Sequence, residues 1–407
     1  MRVYADHQGA TPVLPEVLEA MHPYFSERFG NASSLHQEGH LAKEALAVAR
    51  ERMAHFLNAE ASENIIFTGN GTEAVNLAIK GAFFANQKRG RHVVLSTIEH
   101  PAVTNSIKFL ESLGSTVTKV AVDGEGRVDP ESVRAAVRDD TILVCLHHAN
   151  HDIGTIQPLE EIGAMLADRG ILFFVDAIAS AGWVSIDAQK WNAGLLAISP
   201  HRFYGPKGAG VLYRNRRARI NPLLHGGDQE DGRRAGTENI PAIVGSGLAA
   251  EIAGRELEKR AAHVRRLQES AWKGLSQNVE FIRLNGPLPG QERHPGNLNL
   301  SVEFVEGEGL ALTLDMRGVA LASGAACVTK SMRIPPVLEA LGLDESLAKG
   351  NVLISFGKDN TVAEVEYLVN TFARTVSSLR EMSPGWDEFQ KGMVDSRISP
   401  SRKASVS

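Results

Sequence analysis

The segment "ISPHRFYGPKGAG", residues 198–210, has the residue types of a reactive turn. An apolar run precedes it, and its proline and glycine residues favour a tight turn at a strand end. Ser199 and His201 could donate hydrogen bonds to a phosphate group there. Arg202 stands where a nucleophilic amine would be useful, yet a guanidinium keeps its proton up to about pH 12. The role of this arginine is the first question that the sequence raises.

A second candidate anion site is the segment "TGNGTEAVNLAIKG", residues 68–81. A strand ends here, a glycine-rich turn with Gly71 follows, and Thr72 opens a predicted helix. The free N–H groups and the dipole of a helix N-terminus favour a bound phosphate. The alternative is a simple N-cap with Thr72 and Glu73 in the first turn, which needs no ligand.

Asp176 ends a buried apolar strand in the segment "FFVDAIASAG", residues 173–182. Open parallel sheets bind ligands outside the carboxyl ends of their strands. A carboxylate at this position is therefore a candidate ligand-binding group. The alternative is that Asp176 only caps the helix that follows.

Cys327 lies among small residues in the segment "ASGAACVTKSMRIPP", residues 322–336, with Lys330 and Arg333 close behind it. Neighbouring positive charge lowers the pKa of a thiol and raises its thiolate fraction. The alternative is an inert buried cysteine, but the Ser, Gly and Ala around it favour a loop over a core.

Three further polar positions have two interpretations each. Thr237, in "GRRAGTENIPAIVG" at residues 232–245, is a helix cap or a phosphate donor. His100, which ends the predicted strand at "IEH", either stacks on a planar ring or caps the next helix. The histidines of "LHHANHDIG" are interpreted as hydrogen-bonded residues of the interior or the rim.

The composition argues against several classes of protein. A net charge of −5 gives no reason to expect a nucleic acid or membrane partner, and no apolar run reaches the ~20 residues of a membrane span. The opening residues lack the layout of a secretory signal. Two cysteines rule out a disulfide framework and suit a reducing cytoplasm. Without an HExxH or a paired CxxC spacing, no metal is expected.

Short apolar runs alternate with amphipathic segments through the first 215 residues or so. This alternation predicts a mainly parallel sheet with helices on both faces. We expect strands at 64–69, 92–100, 141–150, 171–177, 195–200 and 208–214. We expect helices at 72–87, 101–114, 129–139 and 159–170, and a long charged helix at 250–275.

In their order along the chain, these segments resemble one family almost from end to end. The cysteine desulfurase branch of the fold-type I pyridoxal-phosphate enzymes, within the class-V aminotransferases, has the same series. It runs "FGNASS", "TGNGTEAVNLAIKG", "EH", "HxN…IG", "VDA…S", "SxHKxxGPKG", "GT" and a cysteine-bearing loop, over about residues 3–390.

The resemblance implies a fold and a domain division. The expected fold is α/β, with a mainly parallel seven-stranded sheet in a large domain, residues 16–260. A smaller α+β domain would comprise residues 1–15 and 261–385. Independently of the resemblance, the Ser- and Arg-rich composition at the end of the sequence predicts a disordered tail over residues 386–407.

The resemblance also implies a role for each candidate residue. Asp176 would pair with the pyridine nitrogen of pyridoxal 5'-phosphate, and His100 would stack on its ring. Gly71, Thr72, Ser199 and His201 would form the phosphate cup, and Thr237 would reach in from a second subunit. Cys327 would carry sulfur as a persulfide.

Four positions depart from the family pattern. Arg202 stands at the Schiff-base lysine, His151 at the second Asn of "HxNN", Ala179 at the Gln after "VDAT", and Leu353 at the Arg of "IRFS". A lysine can become a neutral amine that attacks an aldehyde, whereas a guanidinium cannot. Lys207 is no replacement, because the family has that lysine in addition to the catalytic one. No internal aldimine is therefore expected, and pyridoxal phosphate would be bound noncovalently or be absent.

Three functions remain open from the sequence. The first is a sulfur-transfer protein that uses Cys327, with ordinary desulfuration impaired or absent. The second is a non-catalytic subunit that scaffolds an active paralogue or an iron–sulfur assembly partner, as a homodimer or a heterodimer. The third is a pocket repurposed for another phosphorylated ligand. A sulfur acceptor or an iron–sulfur scaffold protein is the expected partner, in the cytoplasm.

Overall fold

A large sheet and a small sheet form the centre of the protein, whose computed structural model describes residues 1–324 and 334–398. The strands of these described residues are β1 (Val3–Tyr4), β2 (Ile65–Thr68), β3 (His92–Ser96), β4 (Thr116–Val120), β5 (Thr141–His147), β6 (Leu172–Asp176), β7 (Leu195–Ile198), β8 (Gly210–Arg214), β9 (Ile282–Leu284), β10 (Asn297–Val302), β11 (Val319–Ala320), β12 (Ala322–Ser323) and β13 (Asn351–Ser355).

The large sheet has seven strands in the order β2-β8-β7-β6-β5-β3-β4. The five strands β7, β6, β5, β3 and β4 run parallel to one another, whereas β8 runs antiparallel to both of its neighbours, β2 and β7. Each of the six strands predicted for this region is present, within a few residues of the predicted bounds. The carboxyl ends of the five parallel strands meet along one edge of the sheet, where a ligand site is expected.

The helices of the described residues are α1 (Pro15–Met21), α2 (Pro23–Ser26), α3 (Gln37–Phe56), α4 (Gly71–Asn86), α5 (Pro101–Glu111), α6 (Pro130–Ala136), α7 (Leu159–Asp168), α8 (Ile240–Asn278), α9 (Gly307–Met316), α10 (Pro336–Ala340), α11 (Glu345–Lys349), α12 (Val362–Arg380) and α13 (Pro384–Gln390). Several of them begin with proline, whose fixed φ and missing N–H suit the first turn of a helix. Within the described part of the chain, no helix is both long enough and apolar enough to cross a membrane.

Helices cover both faces of the large sheet. On β3, Val93 and Leu95 point to the face that packs against α4 and α5, and Val94 points to the face of α7 and α8. Side chains alternate between the two faces of the sheet along a strand. One continuous run of apolar residues therefore contributes to the apolar core on each face of the sheet. The predicted architecture is confirmed.

The small sheet has four antiparallel strands in the order β12-β13-β10-β9. β1 pairs in parallel with β11, and Asp6 forms a bridge with Ser355 of β13. This pairing supports the proposal that residues 1–15 belong with the C-terminal unit. The proposed boundary between residues 260 and 261 falls within α8, which packs against α3 through Gly247 and against α12 through Gly274.

The C-terminal segment differs from the expected tail over residues 386–398. Helix α13 continues to Gln390, and Trp386 and Phe389 pack against Phe281 and Phe304. These aromatic side chains give the segment apolar area to bury, a signal that its Ser- and Arg-rich composition obscures. The prediction for residues 399–407 lies outside the described residues.

Candidate active site

The Arg202 turn follows β7 directly at the carboxyl edge of the large sheet. Pro200–Arg202 form one 3₁₀ turn, and the indole N–H of Trp183 donates to the carbonyl oxygen of Arg202 at 3.0 Å. Tyr204, fully buried, adopts the left-handed φ of 71°. Its N–H donates to the hydroxyl of Thr11 at 2.7 Å, so tertiary contacts hold a backbone conformation that tyrosine rarely adopts.

Titratable side chains from distant parts of the sequence surround the Arg202 guanidinium. Burial is the larger influence on the pKa of each of them, and the positive charge of Arg202 acts to lower each pKa. They are Tyr4, Asp6, His100, His151, Asp176, His201 and His294. The Arg202 guanidinium is thus within electrostatic range of most of the titratable residues of the predicted site.

The histidines around Arg202 are neutral at physiological pH. Burial, with smaller contributions from neighbouring cations, lowers the pKa of His100 to about 3 and that of His201 to about 4. His294, only 2% exposed, has its pKa lowered to about 3 in the same way. Burial also lowers the pKa of His151, whose ring lies edge-on to His100 at 4.8 Å between centroids. The result is one permanent cation among neutral imidazoles.

Asp176 lies at the end of β6, as the sequence predicted. Its Oδ1 accepts a hydrogen bond from the N–H of Ile178 at 3.0 Å, in a turn where no helix follows. The alternative of a helix-capping aspartate is therefore wrong. Burial raises the pKa of Asp176 to about 6, because the carboxylate is withdrawn from water.

The candidate phosphate cup lies where helix α4 begins. The helix opens at Gly71 rather than at Thr72, because Asn70 is the N-cap and its Oδ1 accepts from the N–H of Glu73 at 2.8 Å. A Cβ atom on Gly71 would lie 2.7 Å from the side chain of Ile178 and 3.1 Å from Cβ of Ser199. Glycine therefore lets the helix N-terminus approach both neighbouring turns.

The other members of the cup are only partly assembled in one chain. The Ser199 hydroxyl and His201 Nδ1 are hydrogen-bonded at 2.8 Å. Thr72, exposed in the first turn of α4, lines a cavity with His100. Thr237 lines a different cavity, with Gly69 and neighbouring residues. Its predicted reach into a second subunit stays a prediction.

His100 caps helix α5, which confirms one of its two interpretations. Its Nδ1 accepts from the N–H of Ala102 at 3.0 Å. The predicted stacking on a cofactor ring stays a prediction. Of the neighbouring histidines, His148 is interior as expected, with Nδ1 at 2.9 Å from the Ser180 hydroxyl and its ring against Trp191.

Two of the altered positions are small or apolar side chains. Ala179 is 7% exposed, and its backbone acts to raise the pKa of the His294 imidazole. Leu353, 8% exposed, lies on β13 two residues before Ser355. Since Ser355 bridges to Asp6, this strand end lies on the side of the site that includes Asp6. Neither side chain offers a hydrogen-bond donor or a charge.

Three side chains near Arg202 are not marked by any pattern in the sequence. Tyr4 ends β1, Asp6 follows that strand, and His294 precedes β10, about 90 residues after the arginine. The segments "YADHQGA" and "RHPGN" have no local pattern that indicates a binding site. Only the folded structure brings them close to the Arg202 turn and to Trp183. In the described ranges, no three His, Cys, Asp or Glu side chains are grouped to hold a metal ion.

The predicted persulfide carrier, Cys327, lies outside the described residues. The other cysteine, Cys145, is in β5 and has no exposed surface. Burial raises the pKa of its thiol well above the ordinary value, so it stays protonated and unreactive. Of the two cysteines, Cys145 is therefore unsuited to sulfur chemistry.

Residues 3–368 match the model of the aminotransferase class-V family. The chain belongs to this family. Among curated relatives, the cysteine desulfurase IscS of Clostridium botulinum strain Hall is 42% identical over 390 residues, 96% of this chain and 98% of that protein. The cysteine desulfurase IscS of Methanosarcina thermophila is 44% identical over 382 residues, 94% of each chain. The resemblance found from the motifs is confirmed.

Solved structures of the family agree with the fold. A NifS-like protein superposes with a TM-score of 0.87 and 34% identity, covering 93% of this chain and all of that one. SspA in complex with cysteine superposes with a TM-score of 0.76 and 33% identity, covering 89% of this chain and all of that one. The predicted fold class, a pyridoxal-phosphate transferase fold with a mainly parallel sheet, is confirmed.

The described residues fit a pyridoxal phosphate group in part. Asp176 offers a buried carboxyl to a ring nitrogen, and the N-terminus of α4 with Ser199 offers donors to a phosphate. The covalent anchor does not fit, since the side chain at the centre of the site is the Arg202 guanidinium. Lys207 is exposed, although its charge contributes to lowering the pKa of His201. The site therefore suits a noncovalently held ring better than a covalently held one.

The buried histidines predict a loss of stability in acid. Between pH 6.5 and about 3, His148 and His294 are neutral when folded but protonated when unfolded. Each therefore lowers the free energy of unfolding by about 1.4 kcal/mol per pH unit as the pH falls. Asp176 has the opposite effect between pH 6 and about 4, because its raised pKa lets the folded state bind a proton that the unfolded state does not. In this range Asp176 cancels the effect of one of the two histidines on the free energy of unfolding.

Urea unfolding at a series of pH values measures this slope. For His294→Gln we expect a slope smaller by about 1.4 kcal/mol per pH unit below pH 6. The exposed His40→Gln is the control and should retain the slope of the original chain. An unchanged slope in His294→Gln would show that this imidazole is charged in the folded state.

Proposed function

We propose that this chain is a sulfur-transfer protein of the cysteine desulfurase lineage that does not desulfurate cysteine in the ordinary way. Cys327 accepts sulfur from a persulfide donor and passes it to an acceptor. The observation that carries the proposal is the position of Arg202, which sits among buried Asp176 and neutral histidines where the family motif has its lysine. A permanent cation there cannot supply the neutral amine that desulfuration needs.

The surrounding side chains support the same proposal. Pyridoxal phosphate, when bound, supplies an electron sink for chemistry on an amino acid. Asp176 and His100 would hold its ring and the N-terminus of α4 its phosphate. Leu353 gives no cation to hold a substrate carboxylate, and Ala179 gives no hydrogen bond to the ring oxygen. The half of the pocket that would position an amino acid substrate therefore lacks the cation and the hydrogen-bonding side chain of the family motif.

The proposed transfer balances without an oxidant or a reductant. The Cys327 thiolate attacks the outer sulfur of a donor persulfide, R–S–SH. The S–S bond of the donor breaks, R–S⁻ leaves with the electron pair, and Cys327–S–SH forms. The reverse exchange with an acceptor thiolate hands the sulfur on.

The quaternary organisation and the partners are part of the proposal. We propose a homodimer in which Thr237 of each protomer completes the phosphate cup of the other, since Thr237 lines a separate cavity within one chain. A heterodimer with an active paralogue would use Thr237 in the same way. The acceptor would be a sulfur carrier or an iron–sulfur scaffold protein, in the cytoplasm.

Loading the protein from two sulfur sources tests this function. We expect sulfane sulfur on the protein after incubation with a small-molecule persulfide, and none above background with L-cysteine and added pyridoxal phosphate. The measurement is cyanolysis of bound sulfane sulfur, with alanine quantified in parallel. Alanine released from cysteine over many turnovers would refute the proposal, and failure to load from either source would favour a scaffold.

A further inference from the structure

A buried acid–histidine pair lies beside Asp176 and is not used by the function proposed above. Glu99 follows β3, His147 ends β5, and Asp176 ends β6, so the three residues come from adjacent strands of the large sheet. His147 and Asp176 are register partners, so their side chains point to the same face. All three are at least 95% buried.

The hydrogen bonds around His147 fix its tautomer. Gln157 accepts from the N–H of Val128 through Oε1, at 2.8 Å, so its Nε2 is the donor end of the amide. That Nε2 lies 2.7 Å from the Gly126 carbonyl oxygen and 3.1 Å from Nε2 of His147. His147 Nε2 is therefore an acceptor, and the ring proton is on Nδ1.

Two hydrogen bonds converge on one carboxyl oxygen of Glu99. Its Oε1 accepts from His147 Nδ1 at 3.0 Å and from the Ser96 hydroxyl at 2.5 Å. Two donors directed at one buried oxygen are the environment that stabilises a carboxylate. Oε2 of Glu99 has no partner within the described residues, so part of this negative charge is uncompensated.

Charged groups act on Asp176 from each element packed around it. Burial is the largest influence and raises the pKa of Asp176, and Glu99 raises it further. The Ile178 N–H and the charge of Arg202 act in the opposite direction, as would a protonated His147. Arg202 and Glu99 thus act on the same carboxyl group with opposite charges.

We propose that Glu99 and His147 are positioning residues that set the charge of Asp176. His147 holds the Glu99 carboxyl group in place through its Nδ1–H. The negative charge of Glu99 favours the neutral acid form of Asp176, and the positive charge of Arg202 opposes it. A neutral acid donates a hydrogen bond to an unprotonated ring nitrogen, whereas a carboxylate pairs with a protonated one. The pair thereby selects the protonation state of the nitrogen heterocycle that the site binds. This inference rests on the proposed role of Asp176 in holding such a ring.

Infrared titration of the cofactor-free protein tests the proposal directly. The carboxylic acid band of Asp176, in protein labelled with ¹³C-aspartate, is assigned by its loss in Asp176→Asn and followed against pH. We expect Glu99→Gln to lower the midpoint of this band by about one pH unit, a tenfold change in the ionisation constant. His92→Gln, a buried histidine at the start of β3, is the control and should leave the midpoint in place.

Two substitutions at His147 separate a positioning role from a structural one. His147→Leu removes a hydrogen-bond donor that stabilises the Glu99 carboxylate, so the Asp176 midpoint should fall towards that of Glu99→Gln. His147→Gln keeps a donor and should restore the midpoint of the original chain. Equal midpoints in all folded variants would overturn the proposal, as would a fall in His147→Gln equal to that in His147→Leu. The titration needs no cofactor, so it gives an answer even if pyridoxal phosphate never binds.

Discussion

Arg202→Lys should convert the site into one that holds pyridoxal phosphate covalently. Partial burial among neutral imidazoles lowers the pKa of a lysine at this position, so a neutral amine becomes available at neutral pH. We expect the purified variant to be yellow and to keep its cofactor through dialysis. Reduction with borohydride should then add one pyridoxyl group to the lysine introduced at position 202, detected by peptide mass spectrometry.

The same variant should remain a poor desulfurase. A substrate carboxylate needs a cationic clamp, and Leu353, buried on β13, provides none. The loss of a buried charge contact costs roughly 2–5 kcal/mol, or about 30- to 4,000-fold in the rate with cysteine. Adding Leu353→Arg to Arg202→Lys should recover a large part of this factor. Full activity from Arg202→Lys alone would contradict the importance of Leu353.

Arg202→Met is the matched control for the lysine variant. It removes the guanidinium and has a similar length, but it supplies no amine. We expect it to remain colourless after dialysis, like the original chain. A coloured Arg202→Met protein would show that another lysine, such as Lys207, anchors the cofactor, and Lys207→Arg would then identify it.

Cys327→Ser should abolish the loading of sulfane sulfur from a persulfide donor. The thiolate is both the nucleophile and the atom that holds the transferred sulfur, so a hydroxyl cannot replace it. After alkylation of the loaded protein, we expect the persulfide adduct on the Cys327 peptide alone. Peptide mass spectrometry, with total sulfane sulfur measured by cyanolysis, checks both expectations.

Cys145→Ser is the matched control, because the chain has only two cysteines. The Cys145 thiol has no exposed surface and its pKa is raised by burial, so its removal should leave the loading unchanged. Loading that persists in Cys327→Ser and disappears in Cys145→Ser would reverse the assignment. Loading that persists in both variants would point to sulfur bound without a thiol.

The fold could be predicted from the sequence because its signals are local. Runs such as "ILFFVDA" are apolar, short and bounded by polar turns, which is how a strand buried on both faces looks. The positions of Asp176 and the Arg202 turn followed from the rule that ligands bind at the carboxyl ends of parallel strands. The start of α4 was off by one residue, since Asn70 and Thr72 are both good capping residues and only the structure distinguishes them.

The remaining parts of the site depend on tertiary contacts that leave no local pattern. Asp6 and His294 come within electrostatic range of Arg202 only because the segment after β1 packs on the Arg202 turn and His294 packs against Trp183. The pairing of Glu99 with His147 joins residues 48 positions apart on adjacent strands. The sequence places the histidine cluster in the interior or at the rim, but no neighbour in the chain indicates the partner of His147.

Borohydride reduction of the original chain, saturated with pyridoxal phosphate, tests the central claim most directly. If the guanidinium of Arg202 has replaced the anchoring amine, peptide mass spectrometry should find no lysine with a stoichiometric pyridoxyl group, whereas Arg202→Lys treated in parallel should show one at position 202. A single lysine of the original chain that is fully modified, in a protein that releases alanine from cysteine, would contradict it.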